Sequence, residues 1–202
     1  MKKIKILLVS AFLMTAIISV AGMSSASANS LFDFTKSEKS LSFYNTHTHE
    51  RLNVTYWRNG RYDPRALEEI NVIMRDHRNG HVHSISKELI NYVHDLKVNL
   101  QRSHPHKDIT FHIISGYRSP QTNAMLRARG GGQASKSRHM FGDAIDIRVP
   151  GISSAEIRDV SWCLQRGGVG YYKGSDFVHI DTWKVRHWNW APNANTCKRG
   201  NS

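Results

Sequence analysis

Apolar and polar positions change period several times along this chain. Leu41 and Phe43, then Leu52, Val54 and Tyr56, alternate with polar residues on either side of a polar stretch at 45–50. A period of two predicts a β-hairpin over 41–62. Asp63-Pro64 then supplies an N-cap and a first helical residue, and Leu67, Ile70, Ile73 and Met74 recur at helical spacing as far as Asn79-Gly80. A second helix starts at Ser86 and carries Leu89, Ile90, Val93, Leu96 and Leu100. Residues 109–114 form a short β-run, and Ser119-Pro120 opens a third helix that ends before Gly130-Gly131-Gly132. Residues 143–149 read as a strand. Ser153 and Glu156 make a capping box for a fourth helix, which stops at Gly167-Gly168. The last pattern is a hairpin, 169–172 and 177–182, around Lys173-Gly174-Ser175. There is no internal repeat. The sum is an α+β domain: a small antiparallel sheet with helices packed on it.

The first residues change the expected compartment. Lys2, Lys3 and Lys5 precede an apolar run from 6 to 21, and Ala26-Ser27-Ala28 is a small-residue cleavage site. This is the pattern of a secretory signal peptide over 1–28, with no stable membrane anchor afterwards. A loose segment is expected over 29–40, one domain over 41–192 and a tail over 193–202. Removing residues 1–28 takes away three lysines and no acids, lowering the formal charge from +12 to +9. A basic exported protein suits an anionic envelope polymer in the periplasm or cell envelope better than nucleic acid, for which no motif is present. Cys163 and Cys197 either bridge in an oxidising compartment, tying the tail to the fourth helix, or remain two buried thiols.

The chemistry lies in two segments. Residues 137–147 read S-R-H-M-F-G-D-A-I-D-I and residues 176–181 read D-F-V-H-I-D. Asp146 stands in a strand between Ile145 and Ile147, so alternation sends it to the face opposite the isoleucines, where a buried charge needs a partner. His179 stands likewise in an apolar strand. With His139, these residues offer two imidazoles and a carboxylate, the donor set of a catalytic zinc site with an open position. Gly142 permits the turn that brings His139 over Asp146. Asp176 is a candidate general base if it lies in the turn before the strand; Asp181, on the face of His179, is either a rival base or a carboxylate orienting an imidazole. Arg118 is placed to polarise a carbonyl, with a salt bridge as the plainer reading. Tyr117, Ser137 and His187 are candidate substrate contacts, and His187-Trp188 either lines the substrate groove or simply packs. His47, His49, His77, His81, His83 and His94 read as turn or helix-flanking residues, and the three glycines at 130–132 as a loop beside the site rather than a phosphate cradle.

These strings carry a resemblance. S-x-H-x-x-G-x-A-x-D-I followed by D-x-x-H resembles the D-Ala-D-Ala metallopeptidase family, which shares a zinc fold with lysostaphin-type enzymes and the hedgehog domain. I-S-G-Y-R-S, L-R-A-R, G-G-V-G-Y-Y and F-V-H-I-D-T are similar to its YcbK-like branch of murein endopeptidases, the MepK group. The resemblance covers about residues 41–190. It implies one zinc ion on His139, Asp146 and His179, a base at Asp176 (a position that varies between Glu, Asp and Asn in such enzymes) and an arginine at Arg118 near the scissile carbonyl. It also implies hydrolysis of peptide bonds in peptidoglycan stem peptides; separately, a monomer is expected. Two alternatives stay open: a zinc-containing wall-binding module that does not cut, and a D,D- or L,D-carboxypeptidase.

Overall fold

The computed structural model describes residues 38–197. Eight strands lie in one sheet: β1 (Glu38–Asn45), β2 (Arg51–Arg58), β3 (Arg61–Tyr62), β4 (Thr110–Ser115), β5 (Ala144–Arg148), β6 (Gly168–Tyr172), β7 (Phe177–Asp181) and β8 (Arg186–Trp188). Their order is β3-β2-β1-β4-β5-β7-β6-β8. The helices are α1 (Pro64–Ile73), α2 (Lys87–Ser103), α3 (Pro120–Ala128) and α4 (Ser154–Cys163). The class is α+β as expected, but the sheet is neither small nor purely antiparallel. β1 runs parallel to β4, and β6 parallel to β8. The first parallel pair is joined by a long connection through β2, β3, α1 and α2, which gives the chain room to return in the same direction. The second arises because the chain turns through 182–185 before pairing along the outer edge of β6.

Local chemistry explains most boundaries. The β1–β2 turn is built on Asn45, whose Oδ1 accepts from the backbone of His47 and Thr48 while its Nδ2 donates to Ile73 O. Asp63 caps α1 by accepting from the backbone N–H of Arg65 and Ala66. Ser86, Ser119 and Ser153 cap α2, α3 and α4 in the same way. α1 ends at Ile73, well before Asn79-Gly80, because the Met74 carbonyl is taken by Tyr117 N at 2.7 Å. A Cβ on Gly116 would stand 2.4 Å from that same carbonyl, so only glycine allows the approach. β1 begins at Glu38, inside the segment expected to be loose. The expected signal peptide and residues 29–37 lie outside the described residues.

The two faces of the sheet have different jobs. Phe43, Tyr56, Phe111, Ile113, Ile145, Ile147, Val178 and Ile180 point to one side and are buried with Ile70, Leu89, Tyr92, Val93, Leu96 and Ile157 of the helices. Alternation places Asp146, His179 and Asp181 on the other side. The expected tail is held: Cys163 at the end of α4 is bridged to Cys197, 34 residues away, and Thr196 is buried. The bridge closes a loop containing β6, β7 and β8. Replacing both cysteines by serine is expected to remove about 4 kcal/mol by the chain-entropy estimate. Urea unfolding of the oxidised parent and the double variant would measure it.

Candidate metal centre

His139 sits in a short 3-10 turn, Arg138–Phe141. Gly142, in the left-handed region at φ 69°, closes that turn, and a Cβ there would stand 2.2 Å from Ser84 O. Arg138 forks onto Asp143, Arg118 N donates to His139 O, and Ser86 N donates to Gly142 O. The turn is therefore tied to the strand–helix junction at 115–119 and to the start of α2. Asp146 is in the middle of β5, and the β5–β7 register pairs it directly with His179. A bulge between Ile113 and Ser115 sets Ser115 opposite Asp146 on the other side.

Three donor atoms converge. His179 Nδ1 is 2.8 Å from Asp146 Oδ1, His139 Nε2 is 3.2 Å from His179 Nδ1, and His139 Nε2 is 3.3 Å from Asp146 Oδ1. Ligands about 2.0–2.1 Å from a tetrahedral zinc stand roughly 3.4 Å apart, so the triangle is slightly contracted but of the right size. The remaining ring nitrogens face outward to acceptors. His139 Nδ1 donates to Gly116 O at 2.7 Å, and His179 Nε2 donates to Asp181 Oδ2 at 3.0 Å. These partners set the tautomers so that both inward nitrogens present lone pairs. Two imidazole lone pairs and a carboxylate oxygen facing one another repel unless a cation stands among them, and the set fits a divalent metal.

The electrostatics agree with that need for positive charge. Burial would raise the Asp146 carboxyl, but charge and hydrogen bonds from His139 and His179 hold it far below the carboxylate range. Burial would lower the His179 imidazole, yet hydrogen bonds and charge from Asp146 and Asp181 push it up to about 9. In the absence of metal a proton takes the cation's place.

Asp181 stands against the outer nitrogen of His179. It is fully buried and accepts from His179, from Arg186 through both terminal nitrogens, and from the backbone N–H of Gly168 and Trp183. No lone pair is left over for substrate chemistry. Arg186 lies flat over Gly168, and Trp188 over Gly170; a Cβ on Gly170 would stand 2.3 Å from the indole. The Trp188 ring centroid is 5.0 Å from that of His179.

The metal centre opens into a cleft of about 680 Å³. Of the expected site residues, Arg118, Ser137, His139, Asp146 and His179 line it, as do Gly131 and Gly132. Arg118 is 8% exposed, its Nη atoms reach only distant partners (Asn123 and Ser115, both 3.4 Å), and its Nε has none among the described residues. Three expected residues stand elsewhere. Tyr117 is buried and stacked on His83, pointing away from the cleft that Arg118 enters. His187 faces the helical side, edge-on to Trp162, because its neighbours Arg186 and Trp188 take the cleft side of β8. Asp176 is exposed at φ 49° in the β6–β7 turn and is not part of the cleft wall. Conversely, Tyr172, Phe177, Trp183 and Arg186 line the cleft without having been expected there, and Trp188, weighed with His187 as a groove or packing residue, does line it. The glycines at 168 and 170 were their one signal, since glycine inside a strand marks a close approach. The surface histidines are also more engaged than expected: His47 stacks on His77 with centroids 3.7 Å apart, and His94 is half-buried.

His139 from a 3-10 turn and Asp146 and His179 from adjacent strands converge in an open cleft as a donor set able to hold a metal ion. Residues 33–188 match the family model described as peptidoglycan L,D-endopeptidase MepK. The chain is 38% identical over 148 residues to the peptidoglycan L,D-endopeptidase MepK of Escherichia coli K12, covering 73% of this chain and 79% of the relative. It is 36% identical over 148 residues to the probable peptidoglycan L,D-endopeptidase MepK of Haemophilus influenzae, covering 73% of this chain and 77% of that relative. No solved structure matches the chain. The chain belongs to the MepK family of peptidoglycan peptidases.

Proposed function

We propose that this protein is an exported zinc endopeptidase that hydrolyses peptide bonds, cross-links in particular, in peptidoglycan stem peptides. The observation that carries this reading is the convergence of His139 Nε2, His179 Nδ1 and Asp146 Oδ1, with the other ring nitrogens hydrogen-bonded outward to Gly116 O and Asp181. His139, Asp146 and His179 would hold one zinc ion. Zinc, when bound, supplies a Lewis acid and lowers the pKa of a coordinated water. Gly116 O and Asp181 keep the imidazoles in the metal-binding tautomer. Arg118 offers an incompletely satisfied guanidinium for the scissile carbonyl and its developing negative charge. The names of the family and of both relatives favour an endopeptidase over a carboxypeptidase. Arg138 and Arg186, two of the cleft's cations, are already engaged by Asp143 and Asp181, which leaves fewer to hold a free terminal carboxylate. The signal-like pattern over residues 1–28 supports export to the periplasm or cell envelope. No helix among the described residues is long and apolar enough to cross a membrane.

Proton transfer is assigned to Asp176 by its spacing from His179, not by its place in the cleft. Asp176→Ala is expected to keep its zinc, measured by elemental analysis, and to lose at least about 100-fold in turnover. Turnover at the parent's rate removes the assignment. The whole reading is tested by chelation: release of soluble muropeptides from sacculi should stop and return with added zinc. One observation favours a second reading. Among the described residues the cleft wall contains no carboxylate besides Asp146, which suits a wall-binding module that does not cut. Sacculus binding with no fragment released at any pH would select it.

A further inference from the structure

The face of the sheet that carries the metal centre continues beyond it, across β4, β1 and β2. One transverse row on that face is continuous by register. Arg51 pairs with Tyr44, Tyr44 with His112, and His112 with Arg148. Arg148 and Phe177 each stand one residue past the Ile147–Val178 pair, and Phe177 pairs with Tyr172. All six point away from the helices, since their neighbours Phe43, Phe111, Ile147 and Val178 are in the core. At about 4.8 Å per strand, the row spans roughly 24 Å. It ends at Phe177 and Tyr172, which form part of the cleft wall.

The composition of the row is unusual for a solvated face. It combines aromatic rings with cationic or basic groups and contains no acid. The Arg51 guanidinium lies 4.6 Å over the Tyr44 ring, Tyr44 and His112 are 4.8 Å apart, and Phe177 and Tyr172 are stacked at 4.5 Å. Neither Arg51 nor Arg148 has a carboxylate partner among the described residues. Both bear on His112, lowering its pKa together with burial. An ordinary charged surface intersperses both signs. Flat rings suit the apolar faces of sugar rings, and free guanidinium forks suit carboxylates.

We propose that this row is a docking track for the uncut remainder of an anionic glycan–peptide polymer, leading it from the sheet edge into the metal cleft. The identity of the polymer rests on the peptidase reading above. The charge of the row is complementary to the polymer's carboxylates, and the track is continuous with the site where cleavage is proposed.

The test is co-sedimentation of the full mature chain with purified sacculi after chelation, so that binding is read without hydrolysis. The parent should sediment, with affinity falling as salt rises. Arg51→Ala/Arg148→Ala should bind about tenfold or more weakly, as expected for two charge-assisted contacts. Tyr44→Ala should weaken binding with little change in salt dependence. Melting temperature and zinc uptake serve as folding controls. A double variant with the parent's melting temperature that sediments like the parent overturns the proposal. So does a parent that binds duplex DNA of matched charge as tightly as sacculi, because charge alone would then suffice. Failure of the peptidase reading looks different: zinc-loaded parent releases no fragments, while row-dependent sedimentation persists.

Discussion

His139→Ala should leave a folded protein that no longer retains zinc and whose muropeptide release falls to background. Two donors from this chain cannot hold a tetrahedral ion with one position reserved for solvent; three can. His139 is the right ligand to remove. Its loss frees one backbone carbonyl, that of Gly116, and leaves the His179–Asp146 and His179–Asp181 contacts in place. His179→Ala would instead remove a partner from two buried carboxylates, Asp146 and Asp181, and so confuse loss of metal with loss of fold. Elemental analysis and a melting curve on the same sample separate the two. A parent-like zinc content in His139→Ala would refute the assigned ligand set.

The same geometry fixes a pH dependence for metal uptake. In the metal-free protein the His179 imidazole is pushed up to about 9 by Asp146 and Asp181. Below that pH zinc must displace a proton, so apparent affinity should rise about tenfold per pH unit until the curve flattens near the upper value. The folded metal-free protein shows the opposite sign. Stability gained from the raised pKa is fully present below the ordinary histidine value and is lost as pH rises through about 9. Zinc titrations at several pH values, with proton release followed in weak buffer, would check both.

How far the sequence foretold this site depends on which contacts were local. Asp146 could be aimed from sequence because Ile145 and Ile147 on either side define the buried face of its own strand. His139 followed because Gly142 is close enough in sequence to imply a turn. His179 followed from the apolar run around it. Arg186 was hidden, and Trp188 could not be told from His187, because β8 has three residues and its partner β6 is parallel, so no hairpin signal announces the pairing. Without that partner the phase of alternation could not be set, and His187 was chosen where its neighbours hold the position. Tyr117 was misplaced for a related reason. Its N–H is held by Met74 O, a contact between distant segments that turns the ring toward His83 and leaves Arg118 in the cleft with His139, Asp146 and His179. The mixed sheet was equally illegible, since alternation within a strand says which face is buried and nothing about its neighbour's direction.

Arg118→Ala is the second large effect, expected to reduce kcat about 100- to 1,000-fold with zinc content unchanged. The argument starts from how expensively this side chain is held. It is nearly buried, and burial lowers its pKa more than Asp146 and Asp76 raise it. Its longest-range ties are two hydrogen bonds at 3.4 Å, with Nε unpaired among the described residues. The backbone beneath it is far better satisfied. Asp76, itself buried, accepts from Ser119 N at 3.0 Å and Ser119 Oγ at 2.8 Å, while Tyr117 N and Arg118 N donate to Met74 O and His139 O. A rigid loop thus presents an under-satisfied cation beside three converging metal donors, an arrangement more useful to a developing oxyanion than to the resting protein. Removing one such preorganised donor commonly costs about 2.7–4 kcal/mol of transition-state stabilisation. A salt bridge serving only the fold would behave otherwise: Arg118→Ala would lower the melting temperature and leave kcat near the parent's. Arg118→Lys adds a further discrimination. It keeps the charge but loses the planar fork, so partial recovery of kcat would show charge stabilisation, and no recovery would show that donor geometry is what the reaction requires.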